Sequence, residues 1–525
     1  MNPLEPVTPD TGQAESTGLD LAQFGFRNTT SILKAIFYRF SLQLLAFPIT
    51  VAASIYFARQ LGPESLGTFR MGMSALAVFF IFLANFGMDT TLSKTIAEVK
   101  AREPSLFRPV WGTFLRHRAI AVTVVGGACW FGADYAAALL KLENMEMFFK
   151  AGAFYVAAQS LRTFYGATFV GLGRVNVQTT ISFLTESCGT LVMAAIVFLG
   201  CKAFHKILAG VAASEALCLL LYVLLLSAHT KKERPQAIAA DRKSVSAYYR
   251  GGLKLSGHIV IISLTALTFG HFDTLILGYL TNPAEVGIMA AALSIAIFPM
   301  RIPISIGGVV LPLYSNLWAK GMKAKIERLT GMIFHLCLLI FLPMATGFFV
   351  LAKPLIINLY GAEYSGSSPV LAVLSALILV KTTFYIQYPL FISMNRAGFV
   401  TVHSTISNVI YLALILLLAP PMGARGMAIS MILAFTYNSA ALMSGYLKEF
   451  KLELPWGKIA KLLLVNLILG LLLWLVREHI TSLKTLLAVI LTSPFLYILL
   501  ILATGSFTLK DWKAMLNGDL LDKQQ

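Results

Sequence analysis

The chain has 525 residues, 57% of them hydrophobic and 13% charged, with a mean hydropathy of +0.75. That balance excludes a soluble globular protein of this length, which needs far more polar surface, and makes the bilayer the main solvent. The formal net charge of +17 does not indicate a nucleic-acid partner. The Lys and Arg residues sit in short connections between apolar runs and form no basic domain.

Residues 1–26 contain no Lys or Arg and are rich in Pro, Thr, Asp, Glu and Gly. They lack the basic start and apolar core of a signal peptide, so residues 1–30 read as a disordered cytoplasmic tail. Beyond them, windows long enough to cross about 30 Å of hydrocarbon, roughly 20 residues each, recur along the whole chain. They fall near 38–58, 70–90, 119–140, 151–172, 177–199, 207–228, 255–280, 286–314, 329–351, 367–394, 399–419, 426–446, 459–476 and 485–504. The expected fold is therefore an all-α polytopic membrane protein with about 14 transmembrane helices. Five cysteines (Cys129, Cys188, Cys201, Cys218, Cys337) show no metal-ligand spacing and read as small buried hydrophobes.

A turn of the same build follows the first and the seventh window. Leu61-Gly62-Pro63-Glu64-Ser65-Leu66-Gly67 and Asn282-Pro283-Ala284-Glu285-Val286-Gly287 align with Pro63 on Pro283 and Gly67 on Gly287, both pairs 220 positions apart. Internal repeats of this kind mark transporters, in which one half rocks against the other. Six spans separate the turns, so both lie on the same face and the halves share one orientation. The expected relation is a pseudo-two-fold along the membrane normal. Residues 31–230 would form an N-lobe (helices 1–6), 231–250 a cytoplasmic linker and 251–447 a C-lobe (helices 7–12). Residues 448–504 would add two helices without counterpart, and 505–525 a cytoplasmic tail.

Orientation follows from the basic residues. Loop 91–118 carries Lys94, Lys100, Arg102, Arg108, Arg116 and Arg118, and loop 229–250 carries Lys231, Lys232, Arg234, Arg242, Lys243 and Arg250. The loops of the other face hold one or two each. Both termini are expected in the cytoplasm and both Pro/Gly turns on the outer face.

The chain resembles the polysaccharide-transport family, of the O-antigen flippase (Wzx) type, in the multidrug/oligosaccharidyl-lipid/polysaccharide (MOP) exporter superfamily. The likeness rests on Ala58-Arg59-Gln60-Leu61-Gly62-Pro63-Glu64-Ser65-Leu66-Gly67. It also rests on Asp273-Thr274-Leu275-Ile276-Leu277-Gly278 before Pro283-Ala284-Glu285-Val286-Gly287. It implies two six-helix lobes around a central cavity, lined by the first two helices of each lobe. It further implies a polyprenyl-pyrophosphate-linked oligosaccharide as substrate, flipped from the cytoplasmic to the outer leaflet of the inner membrane. A monomer is the default, with anionic lipids and polysaccharide polymerase or chain-length machinery as further partners. No cofactor and no metal are expected.

Ionisable side chains deep in a bilayer cost several kcal/mol unless paired or hydrated, so each one has a reason. Arg301, between Pro299 and Pro303, is a candidate for holding pyrophosphate in a kinked, cavity-lining helix, or else a partner of Asp273. Lys381 has no acid in its own span, which favours a hydrated cavity. Arg162 reads either as an anion site or as the partner of Glu186 or Glu215. Those two carboxylates and Asp273, with His271 nearby, are candidates for ion coupling. Arg39 and Asp89 read as snorkelling or capping groups, and Lys34 and Lys254 as interfacial anchors.

No nucleotide-binding loop, HExxH or paired-ligand spacing occurs, so no enzyme is expected. The expected function is a lipid-linked glycan flippase working by alternating access. A drug or cation antiporter of the same fold is the alternative, and a membrane glycan polymerase or ligase the less favoured third reading.

Overall fold

The structure, a computed structural model, describes residues 29–142, 144–232, 242–452 and 454–506. Side chains are described there except at 29–47 and at positions scattered through 229–232, 254–266 and 300–312. The two tails lie largely outside the described residues, as does the stretch 233–241 of the expected linker. The chain is already helical again at Arg242.

All regular structure among the described residues is helical. The first half runs through α1 (Thr29–Ala75), α2 (Phe82–Asn85), α3 (Met88–Arg102), α4 (Phe107–Phe131), α5 (Ala133–Leu139), α6 (Glu146–Gly171), α7 (Val175–Phe198) and α8 (Phe204–Lys232). The second comprises α9 (Arg242–Leu267), α10 (Asp273–Leu280), α11 (Pro283–Ala296), α12 (Arg301–Ala319), α13 (Lys323–Val350), α14 (Ala352–Tyr360), α15 (Ser367–Ser393), α16 (Ala397–Met422) and α17 (Ala424–Leu447). Then come α18 (Trp456–Val476) and α19 (Leu483–Thr504).

Nine of the described helices are long and apolar enough to cross a membrane, or ten if α4 and α5, bent by 66°, form one span. The protein is thus a multi-pass membrane protein. Of the remaining expected windows, 151–172 falls on unbroken α6 and the others on broken helices, so the pattern is consistent with about fourteen crossings. Within the first half α6 packs against α4 and α8, and within the second α15 packs against α12, α13 and α17. The final pair is an appendage, with α18 lying on α13 and α19 tied to it by the Tyr497 hydroxyl donating to the Leu339 carbonyl at 2.7 Å.

The breaks have local causes. Gly62 takes φ 75°, which a residue with a Cβ rarely adopts, and Pro63 then starts the second limb of α1 with the ring already at helical φ. Its counterpart, Pro283, starts α11 behind Asn282, whose side chain accepts from the Glu285 amide at 3.0 Å. One turn of π-helix interrupts each half, at Leu76–Ile81 and Thr268–Phe272. The kink expected from Pro299 lies between Ala296 and Arg301.

Two expectations change here. Window 70–90 is not one smooth span, because Phe86 and Gly87 take left-handed backbone between α2 and α3. Loop 91–118 is mostly helix, and the connection shrinks to a few residues around Pro104.

Candidate functional site

The two halves meet at the repeated turns. A Cβ at Gly67 would overlap the carbonyl oxygen of Pro283, and one at Gly287 would overlap that of Pro63. Each turn thus packs its glycine on the other's proline, as a two-fold relation requires, and the second limb of α1 lies along α11. Tyr364 adds a hydrogen bond across the same contact, its hydroxyl donating to the Ala58 carbonyl at 2.7 Å. Burial pushes its phenol above the usual range, so it stays a donor. Lys202 Nζ takes the carbonyl of Gln60 at 2.6 Å. These carbonyls belong to the last turn before the break, where in-helix donors run out.

At the opposite end α9 closes on α3 and α4. A Cβ at Gly87 would stand 3.0 Å from the Ser256 carbonyl oxygen, and Ser256 Oγ donates to Thr91 Oγ1 at 2.9 Å. Tyr249 stacks on His117 with ring centroids 4.5 Å apart. Between the two contacts lies a cavity of about 1370 Å³, reaching from Ala58 and Leu66 to Asn85 and Asp89.

Sequence reasoning missed the cation that faces this cavity. Arg70 is exposed in it, on the face of α1 that also presents Leu66 and Met73 and runs on to Ala77 in the π-helical turn that follows. That spacing is one helical stripe, and it was the available signal. Arg70 has no carboxylate partner among the described residues and lies within electrostatic range of His271 and Tyr360. His271 Nδ1 and Gln159 Oε1, on lining residues, are buried without a hydrogen bond among the described residues.

The candidates from sequence separate into several places. Arg162 Nε donates to Glu215 Oε2, and the pair is mostly buried between α6 and α8. Glu186 is left alone on α7, exposed in the cavity and without an ion pair among the described residues. Asp273 is wholly buried at the π-turn: Oδ1 accepts from the amides of Gly270 (2.8 Å) and Thr274 (2.7 Å), and Oδ2 from the Tyr411 hydroxyl (2.9 Å). Lys381 is not among the lining residues; its Nζ sits 4.3 Å above the Phe435 ring, within electrostatic range of Asp273. Phe435 packs on Phe269, which stacks on Tyr411, so one aromatic chain joins Lys381 to the Asp273 site. The side chain of Arg301 lies outside the described ones, as do those of Arg39, Lys34 and Lys254.

Asp89 is a correction. It is not a snorkelling or capping group but the partner of Arg118, which was counted among the loop cations. Arg118 is wholly buried and donates to Asp89, to Asn85 Oδ1 and, at 3.0 Å, to the Ala84 carbonyl. Desolvation explains the pairing, since a guanidinium at that depth needs a counter-charge.

The family described as polysaccharide biosynthesis protein matches residues 32–318, and the family described as lipid II flippase MurJ matches residues 192–501. The chain belongs to the polysaccharide biosynthesis protein family, and more than half of it also matches the lipid II flippase MurJ family. Among curated proteins it is 21% identical over 221 residues to "Probable low-salt glycan biosynthesis flippase Agl15" of Haloferax volcanii, covering 41% of this chain and 47% of that one. It is 26% identical over 155 residues to "Probable lipid II flippase MurJ" of Bdellovibrio bacteriovorus, covering 28% and 29%. The matched part is thus less than half the length of either relative. By fold, the chain is similar to the lipid II flippase MurJ in an inward closed conformation, with TM-score 0.64 and 13% identity over 92% of this chain and all of that one. It is also similar to an inward-facing multidrug resistance MATE family transporter, with TM-score 0.58 and 14% identity over 76% and 93%.

Proposed function

We propose that this chain is a flippase for a polyprenyl-diphosphate-linked oligosaccharide, moving it between leaflets of the inner membrane by alternating access. The observation that carries the reading is Arg70, a guanidinium with no carboxylate partner among the described residues, in a lumen lying between two contacts that join the halves. Diphosphate oxygens match its donor fork, and a low-dielectric lumen strengthens that pairing. The glycine-on-proline contact is the outer gate and the α3/α4–α9 contact the inner one. Opening them in turn exposes Arg70 to either side. The basic residues of the connections support a cytoplasmic position for α3, α9 and both termini.

Arg301 and Lys381 remain proposed helpers toward an anionic headgroup, and Arg162 a structural cation bound to Glu215. Asp273 is the proposed coupling group. Anionic lipids and the polymerase machinery are the proposed partners, with a monomer as the working unit.

In cells lacking this chain, lipid-linked repeat units should accumulate on the cytoplasmic leaflet and surface polysaccharide should be lost. The wild-type chain should restore export; Arg70→Ala should not, at equal membrane abundance. Normal glycan with altered sensitivity to cationic compounds would instead establish the antiporter reading, which the lone carboxylate of Glu186 favours. Accumulation on the outer leaflet would establish the polymerase or ligase reading.

A further inference from the structure

The cavity is chemically lopsided, and the wall opposite in character to Arg70 is built by one helix. Gln178, Ser182, Glu186 and Thr190 follow one another at intervals of four along α7, and all four line the cavity. That spacing sets them on one strip of the helix, about 18 Å long at 1.5 Å per residue. The other side of α7 shows Leu184, Leu191 and Phe198 exposed, as a lipid-facing surface demands. A polar strip through a membrane helix is retained only where it faces water or a polar ligand.

The chemistry of the strip is specific: an amide, a hydroxyl, a carboxylate and a hydroxyl, with no cation. Glu186 carries no ion pair among the described residues, since Glu215 holds Arg162. Gln178 Nε2 donates to Ser182 Oγ at 3.1 Å, which leaves the Gln178 side-chain carbonyl as an acceptor. On neighbouring α6 the Gln159 side-chain oxygen, another lining group, is buried with no donor among the described residues. The wall therefore offers mainly acceptors, and a carboxylate among them repels phosphate. Sugar hydroxyls, each able to donate, fit it; a diphosphate does not.

We infer that the α7 strip, with Gln159 beside it, is the wall that recognises the sugars of the cargo. The diphosphate is held at Arg70, elsewhere on the lining of the same cavity. This rests on the flippase reading above and adds which residues set glycan specificity. Glu186 then bonds sugar hydroxyls, and Gln159 and Gln178 read neighbouring positions along the chain of sugars.

The test uses the full chain in nanodiscs and two probes. One is the polyprenyl-diphosphate oligosaccharide purified from cells that make this chain; the other is polyprenyl diphosphate without sugar. Glu186→Gln and, separately, Gln178→Ala should weaken the glycosylated probe roughly tenfold, the loss of one charged or buried hydrogen bond, and leave the bare lipid unchanged. Arg70→Ala should weaken both. Unchanged bare-lipid binding also shows that the variants are folded. If the α7 variants weaken both probes alike, or neither, the sugar wall is overturned while the flippase reading stands. If the wild-type chain binds neither probe, the flippase reading falls and takes the sugar wall with it.

Discussion

Gly67 lies with its Cα against the backbone carbonyl of Pro283, so close that any side chain at 67 would overlap that oxygen. Gly287 stands in the same relation to Pro63. The repeat visible in sequence is therefore also a contact: its two copies touch on the axis that relates the halves. A helix pair can approach this closely only where both faces lack Cβ atoms.

Gly67→Val should hold the gate ajar. Overpacking of this kind costs about 1–3 kcal/mol, enough to shift a two-state gate by an order of magnitude. A cysteine placed at Ser74, a buried lining position, should then react faster with a membrane-impermeant maleimide added outside. Labelling no faster than in the Ser74→Cys protein alone would remove the glycine contact as the gate.

Tyr364→Phe tests the cross-half hydrogen bond at the same seal. Removing the hydroxyl leaves the Ala58 carbonyl without its donor and should destabilise the closed gate by about 1 kcal/mol, roughly fivefold in population. Hydrogen exchange of residues 55–62 and 361–366 should speed up together; exchange confined to 361–366 would mean that the bond does not join the halves.

Arg118→Ala should be among the most damaging single changes in the first half. It strands Asp89 and the Asn85 side chain, and breaking a buried pair from one side costs about 3–5 kcal/mol. The double variant Arg118→Met with Asp89→Leu should recover much of the lost melting temperature in detergent. No recovery would show that the arginine serves something other than its pair.

The Arg162–Glu215 pair is open to a charge swap. Either single reversal should cut membrane abundance, and Arg162→Glu with Glu215→Arg together should restore it. The same swap with Glu186 should fail, because Glu186 faces the lumen and not Arg162.

Much of the fold was legible because lipid imposes simple rules. Each crossing needs a long apolar run, and the Pro and Gly residues that stop a helix announce the turns. Windows such as 151–172, 177–199 and 399–419 match α6, α7 and α16 closely for this reason. The site was less legible. Arg118 looked like one more loop cation, since its counter-charge lies 29 residues earlier in sequence and only packing unites them. Arg70 stood at the edge of a window where snorkelling is the ordinary expectation, and nothing local says that this face of α1 looks into a lumen.

Composition and hydropathy by themselves determined that the chain is helical, crosses the membrane many times and repeats its first turn, because burial of apolar runs and backbone hydrogen bonding are local properties. Which buried charges pair and which face the cavity was decided only by tertiary structure. Glu186 and Glu215 are alike in sequence terms, yet one meets Arg162 and the other meets the lumen. The difference is set by how α6, α7 and α8 rotate against one another, a long-range packing outcome that no single helix encodes.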